Sequence, residues 1–260
     1  MPPLKTNGLI LKVNNLNDND RLFTILTRDA GRITAMAKGV RSIRHKDFAG
    51  LQLFCYSSLV LDNKTGLHYI SSAEPIETFY PLRESVEKMS LAVYLMDVVN
   101  AVSRDFLDAD GYFSFILNTL FLLGNAEQRL AEQEDGDLLT ELRRLKMVFE
   151  LKTCVEAGYA PETECCVLCG TPGLHTHFDC VSGGVVCASC GGERENLIPV
   201  TPGEVKAITY LAQADLKQVF RFTLKDEVLD TLSAISEQFL AVQFETFFPS
   251  LDYLKSIWFQ

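Results

Sequence analysis

Apolar residues recur along this chain with two different periods, and the switch between them divides it. In the first third the apolar positions fall in short runs. Residues 9–13, 21–27, 32–37, 53–61 and 67–72 are aliphatic or β-branched, and turn-forming residues separate them, which predicts strands. Residues 14–20 hold only Asn, Asp and one Leu, and residues 62–66 form a second such break. Gly31 stands where the turn between the second and third runs needs a left-handed residue. Five short strands with no helix between them predict a small antiparallel barrel, and the oligonucleotide-binding (OB) type is its commonest nucleic-acid-binding form.

The period then becomes helical. From residue 84 to about Arg104, Val86, Met89, Ala92, Val93, Leu95, Met96, Val99 and Val102 recur at intervals of three and four. Residues 112–123 repeat the pattern. An acidic, turn-prone stretch over 131–137 precedes a third helix over 138–157, which Gly158-Tyr159-Ala160-Pro161 terminates. Further on, Thr201-Pro202-Gly203-Glu204 reads as a capping box with proline at the first helical position, opening a helix to about Ala214. Thr223 with Asp226 reads as the start of another, carrying Leu229, Leu232, Ile235 and Phe239. These later helices need a partner for their apolar faces, and the helices before residue 160 supply it. The sequence leaves open whether residues 251–259 dock or stay loose.

Between the two helical stretches lies the sharpest chemical signal. Cys166 and Cys169 form one C-x2-C pair and Cys187 and Cys190 another, with seventeen residues between the pairs. This is ligand spacing for a structural zinc ion (Zn2+), one per chain, and four thiolates leave no coordination site open for catalysis. Glycines after each pair, Gly170, Gly191 and Gly192, are expected to give the knuckles their positive φ. Cys165 offers a competing C-x3-C register, which the matching C-x2-C at the other end disfavours. His175, His177 and Cys180 are expected as exposed loop residues, and Cys55 and Cys154 as small buried hydrophobes. With no apolar leader and cleavage site at the N-terminus, the expected setting is cytoplasmic and reducing, where disulfides do not form. No apolar run is long enough to span a membrane.

Charge is unevenly spread. The formal net charge is −10, yet residues 1–50 carry nine Lys or Arg against four Asp, a net of +5, so the other 210 residues carry −15. Such asymmetry fits a polyanion-binding module on an acidic body. Arg32, Lys38, Arg41, Arg44 and Lys46 are the candidates for phosphate contact, with Arg21 a weaker one. Phe23, Tyr56 and Tyr69 could stack on bases but serve equally well as core. No phosphate loop, G-x-G-x-x-G turn or H-E-x-x-H helix is present, so an enzyme is not expected.

These segments resemble the bacterial RecO family of DNA repair and recombination mediators. The resemblance rests on Gly8-Leu9-Ile10-Leu11-Lys12-Val13, Asn19-Asp20-Arg21-Leu22, the stretch from Leu26 through Arg28-Asp29-Ala30-Gly31-Arg32 to Lys38-Gly39, Glu74-Pro75-Ile76-Glu77-Thr78-Phe79, and Cys166-Val167-Leu168-Cys169-Gly170. It runs from about residue 8 to past 240. It implies an α+β multidomain protein, with a five-stranded OB-type β-barrel over 1–80, an α-helical domain over 81–160 and 199–260, and a four-cysteine zinc-binding insert over 161–198. It also implies binding of single- and double-stranded DNA and annealing of complementary strands. With RecR, such a protein helps load RecA onto DNA coated by single-strand-binding protein, whose C-terminal tail is a further expected partner. The implied location is the cytoplasm, at the nucleoid. The alternative is an interaction hub that holds a structural zinc and has little intrinsic DNA affinity.

Overall fold

The computed structural model describes residues 3–64, 66–102, 109–131, 136–192, 194–221 and 224–259. Two compact units divide the chain, Met1–Asp105 with Ser250–Gln260 and Phe106–Pro249. This grouping differs from the sequence expectation, which assigns residues 81–104 and 250–260 to the helical domain.

The first unit is built on five strands: β1 (Leu4–Asn15), β2 (Arg21–Thr27), β3 (Gly31–Ala37), β4 (Tyr56–Lys64) and β5 (Leu67–Glu77). They close in the order β1-β2-β3-β5-β4. Closure depends on β1. Its first half pairs with β4, Leu4 opposite Leu61, and its second half with β2, Asn15 opposite Arg21. An irregularity between Ile10 and Lys12 bends the strand so that it can serve both neighbours. The barrel is not wholly antiparallel as expected, because β3 and β5 run parallel, with Met36 beside Tyr69. The fourth strand starts at Tyr56 instead of residue 53, since Phe54 takes a left-handed φ of 68°. Ile10, Phe23, Ile25, Ala35, Leu59 and Leu61 fill the interior, so Phe23 is core and not a stacking surface. Gly31 has the expected positive φ, 63°. Helix α1 (Val86–Val102) packs on β1, and its expected end at Arg104 lies outside the described residues.

The second unit contains α2 (Ala109–Gly124), α3 (Ala126–Ala131), α4 (Leu138–Glu156), the strands β6 (His175–Asp179), β7 (Gly184–Cys187) and β8 (Ile198–Pro199), a single turn α5 (Ala188–Gly191), α6 (Pro202–Gln213) and α7 (Asp226–Gln243). Helix α4 is its axis and packs on α2, α6 and α7, as the apolar faces require. Phe115 stacks between Phe149 and Phe220 at 5.5 Å from each. Charge is buried here in matched form: Lys146 Nζ lies 2.8 Å from Glu150 Oε1 and 2.7 Å from Glu237 Oε2, while Ser236 donates to Glu150. The Thr201–Glu204 capping box is formed in both directions. At α7 Lys225 occupies the cap position, and the expected cap Thr223 lies outside the described residues. Helix α8 (Pro249–Trp258) closes the chain with Leu254 and Trp258 buried, which settles residues 251–259 as docked.

Candidate nucleic-acid interface and metal centre

The basic segment after β3 is a sequence of tight turns. His45 N donates to Ser42 O and Phe48 N to His45 O, so residues 42–45 and 45–48 are successive turns. The segment is fastened at both flanks. Gly39 N donates to Asp20 Oδ1 at 2.9 Å, Arg41 N to Asn19 O at 3.2 Å, and the Arg41 guanidinium to Asn17 O at 2.7 Å. All three bonds tie it to the loop between β1 and β2. At the other flank Asp47, buried, accepts from Ala73 N at 3.0 Å on β5. Asn17 and Gly39 donating to Asp20, with Lys38 nearby, hold the Asp20 carboxyl below its ordinary value.

The sequence-derived cations divide accordingly. Arg44 and Lys46 are exposed and make no side-chain hydrogen bond or ion pair among the described residues. Lys38 is exposed with its ammonium 5.8 Å from the centre of the Tyr69 ring. Arg41 combines its backbone-directed bond with an ion pair to Asp18 at 3.9 Å. Arg21 bonds Asn15 and pairs in register with Ala37, next to Lys38, so it stands at the same end of the barrel. Arg32 differs. Its guanidinium donates to both the carbonyl and the side-chain oxygen of Asn100 on α1, at 2.9 and 2.8 Å, and is only half exposed. It fastens the helix to the barrel. A cleft of about 350 Å³ lies between Lys38, Lys46, Tyr69 and Ser71, with Asp47 and Asp62 also on its wall. Asp20 and Asp47 enter the sequence only as charges in the balance of residues 1–50, and their role in holding backbone appears with the fold. The signal for that role is Asn and Asp at turn positions, where such side chains bind nearby backbone amides.

The four cysteines converge. The sulfurs of Cys166, Cys169, Cys187 and Cys190 all lie within 4.8 Å of one another, with Cys169 and Cys187 at 3.8 Å. A metal with sulfurs about 2.3 Å away at tetrahedral corners requires sulfur separations of about 3.8 Å, so the cluster fits a zinc-sized ion. All four are free thiols. Cys165 stands outside the cluster, which resolves the register in favour of C-x2-C. Gly170 takes the positive φ of the first knuckle, 72°, and donates to Cys166 O. The second knuckle is built otherwise. Gly192 has φ −68°, and Gly191 is required for space, because a Cβ there would lie 2.4 Å from His177 Nδ1. Ser189 first, then the backbone amide of Cys190, pulls the Cys187 thiol down to about 6, while hydrogen bonds to Cys169 and Cys187 push Cys190 up to about 12. A dication bound there would displace the protons that the raised thiols still hold.

The residues between the pairs are not exposed loop as expected. His175 and His177 lie on β6, paired with Cys187 and Val186 of β7, and His175 and Cys180 are buried. Strands of five, four and two residues carry too little pattern to be recognised. The module docks on α7, where Phe178 meets Phe239 edge-on at 5.8 Å and Gln243 donates to Cys180 O at 2.9 Å. Burial pushes the Cys180 thiol up to about 12, so it behaves as a hydrophobe.

A barrel of this topology followed by a helical unit carrying a thiol cluster matches known proteins along the whole chain. Residues 1–79 match the family model described as Recombination protein O N terminal, and residues 83–252 match Recombination protein O C terminal. The chain belongs to the RecO family. The DNA repair protein RecO of Alkaliphilus metalliredigens is 30% identical over 256 residues, covering 98% of this chain and 99% of its own length. That of Acetivibrio thermocellus is 29% identical over 255 residues, covering 98% and 97%. The RecO of Syntrophus aciditrophicus is 31% identical over 212 residues, or 78% and 76%. Like these relatives, the chain is a RecO-type DNA repair protein. No helix among the described residues is long and apolar enough to cross a membrane.

Proposed function

We propose that this chain is a non-enzymatic recombination mediator that binds single- and double-stranded DNA through the basic turns after β3. The observation that carries the reading is the pinned segment 38–47, which presents Lys38, Arg44 and Lys46 to solvent from a fixed backbone, beside Arg41 and Arg21. Preset cations lose little freedom on meeting phosphates, and the counterions they release drive association. Tyr69, under the Lys38 ammonium and on the wall of the adjoining cleft, offers an aromatic face for an unpaired base. Two complementary strands held on one positive surface repel each other less, which speeds annealing without nucleotide hydrolysis. RecR, RecA and the tail of single-strand-binding protein enter as partners through family membership. The cysteine cluster takes a structural Zn2+ that fixes the β6–β8 module on the helical unit.

The test is charge reversal. Replacing Arg41 and Arg44 together by Glu should weaken oligonucleotide binding and flatten its logarithmic salt dependence by about 0.7 for each single-strand phosphate left without its cation. An unchanged slope would remove this loop from the interface. The net charge of −10 favours a second reading, in which the acidic body docks proteins and the barrel holds no DNA. Under it, labelled single strands stay free even at low salt.

A further inference from the structure

The most exposed large apolar side chain among the described residues is Ile43, at 79%. It sits in the most cationic part of the fold. A β-branched residue on a turn in water, between Arg41 and Arg44, does nothing for the barrel, whose interior is filled by Ile10, Phe23, Ile25 and their neighbours. The turn that carries it is well defined. His45 N closes onto Ser42 O at 3.0 Å and Arg44 N contacts Ser42 Oγ at 3.3 Å, which leaves Ile43 and Arg44 as the two central residues. Neither flank is loose, since Arg41 is bonded to Asn17 and Asn19 on one side and Asp47 to Ala73 on the other. The β1–β2 loop that receives Arg41 carries a second exposed aliphatic, Leu16, at 55%.

We propose that Ile43 is a wedge that enters a base step of DNA at the junction between single and double strand, while Arg44, Lys46 and Arg41 hold the flanking phosphates. The inference rests on the DNA-binding reading above and specifies its substrate class. Apolar side chains rimmed by cations unstack base steps when the backbone behind them is rigid, and the cost of unstacking is least where pairing already ends. A cation cluster alone would bind single strand, duplex and junction in proportion to phosphate density. An aliphatic tip adds something that only an openable step can accept. It also fits a protein that brings complementary strands together, because the advancing edge of a growing duplex is such a junction.

The experiment compares wild type, Ile43→Ser and Arg44→Glu on three DNAs: a single strand, a blunt duplex and a duplex with a single-stranded tail carrying 2-aminopurine at the last paired position. Wild type should prefer the tailed duplex and brighten the reporter as the step unstacks. Ile43→Ser should lose about tenfold in affinity for the junction, the lower end of what burying an isoleucine side chain supplies. It should also lose the brightening, with single-strand affinity and salt slope unchanged. Arg44→Glu should weaken all three DNAs. If Arg44→Glu weakens binding but Ile43→Ser keeps both preference and brightening, the wedge is wrong and the DNA-binding reading survives. Should neither variant change binding to any DNA, the underlying reading fails with it. Flotation with phosphatidylglycerol vesicles covers the other surface that a cationic, apolar tip could enter. Vesicle binding lost in Ile43→Ser, with junction affinity intact, overturns the proposal. Ile43 is solvent-facing, so thermal melting of the variant should match wild type.

Discussion

Asp20 and Asp47 place negative charge inside a region whose proposed role calls for positive charge, and each does so to hold backbone. Asp20 accepts from Gly39 N and Asn17 Nδ2, which keeps its carboxyl below the ordinary aspartate value. A lowered folded value means that its contribution to stability is complete above the ordinary carboxylate value and fades as pH falls through the lower one. In urea unfolding followed from about pH 6 down to about pH 2, wild type should therefore lose stability in this acid window more steeply than Asp20→Asn. Parallel curves would show that the bond is not kept in solution. The cysteine cluster, with the Zn2+ proposed for it, allows a similar test of one residue. Cys169→Ser should drop zinc content from one ion per chain towards none by elemental analysis and loosen the β6–β8 module to proteolysis, since three thiolates close an incomplete tetrahedron. The quartet could be read from the sequence because ligand spacing is local: each pair sits within four residues. Arg32 could not be, because Asn100, which claims its guanidinium, is 68 positions away. A free arginine and a committed one look alike in one dimension.

Among the elements, what could be read followed the length of the repeating pattern. Helices α1, α2, α4, α6 and α7 have enough turns for a three-and-four rhythm to stand out, and β1–β5 enough alternation to show as strands. Their ends and partners were less visible. The early start of β4 fails on the left-handed Phe54, a bulky residue in a conformation that composition does not announce. The parallel pairing of β3 with β5 is set by barrel closure, a property of the whole sheet. Helix α3, six residues long, and the strands of the four-cysteine module fall below any period. One packing constraint between elements is testable by adding a single carbon. Gly50 lies in the helical turn before β4, and a Cβ there would sit 2.4 Å from the Ala73 carbonyl oxygen on β5. That oxygen belongs to the backbone and cannot swing aside. Gly50→Ala should lower the urea midpoint by an amount equivalent to about 1–3 kcal/mol. An unshifted midpoint would mean that β5 yields freely.

For the whole molecule, a chain of net charge −10 carries one cationic segment, because Lys38, Arg41, Arg44 and Lys46 against Asp47 concentrate most of the positive excess of residues 1–50 after β3. The two compact units are not consecutive in sequence, since residues 250–260 complete the unit that residues 1–105 begin. Leu254 is fully buried and Trp258 nearly so, at 0% and 9% exposure. Leu254→Ala should thus cost about 2–4 kcal/mol and be felt in the first unit. Trp258 is the one tryptophan in the chain, so its fluorescence reports the undocking of α8 directly, and an unchanged emission midpoint in the variant would contradict the burial. The interleaved order also bears on biogenesis. As the ribosome works from the amino end, residues 106–249 emerge in full before α8 is made, so the first unit must wait through their synthesis without the helix that carries Leu254 and Trp258. Ribosome-bound intermediates halted just short of Pro249 should then show a protease-sensitive amino-terminal third, which becomes resistant only on release.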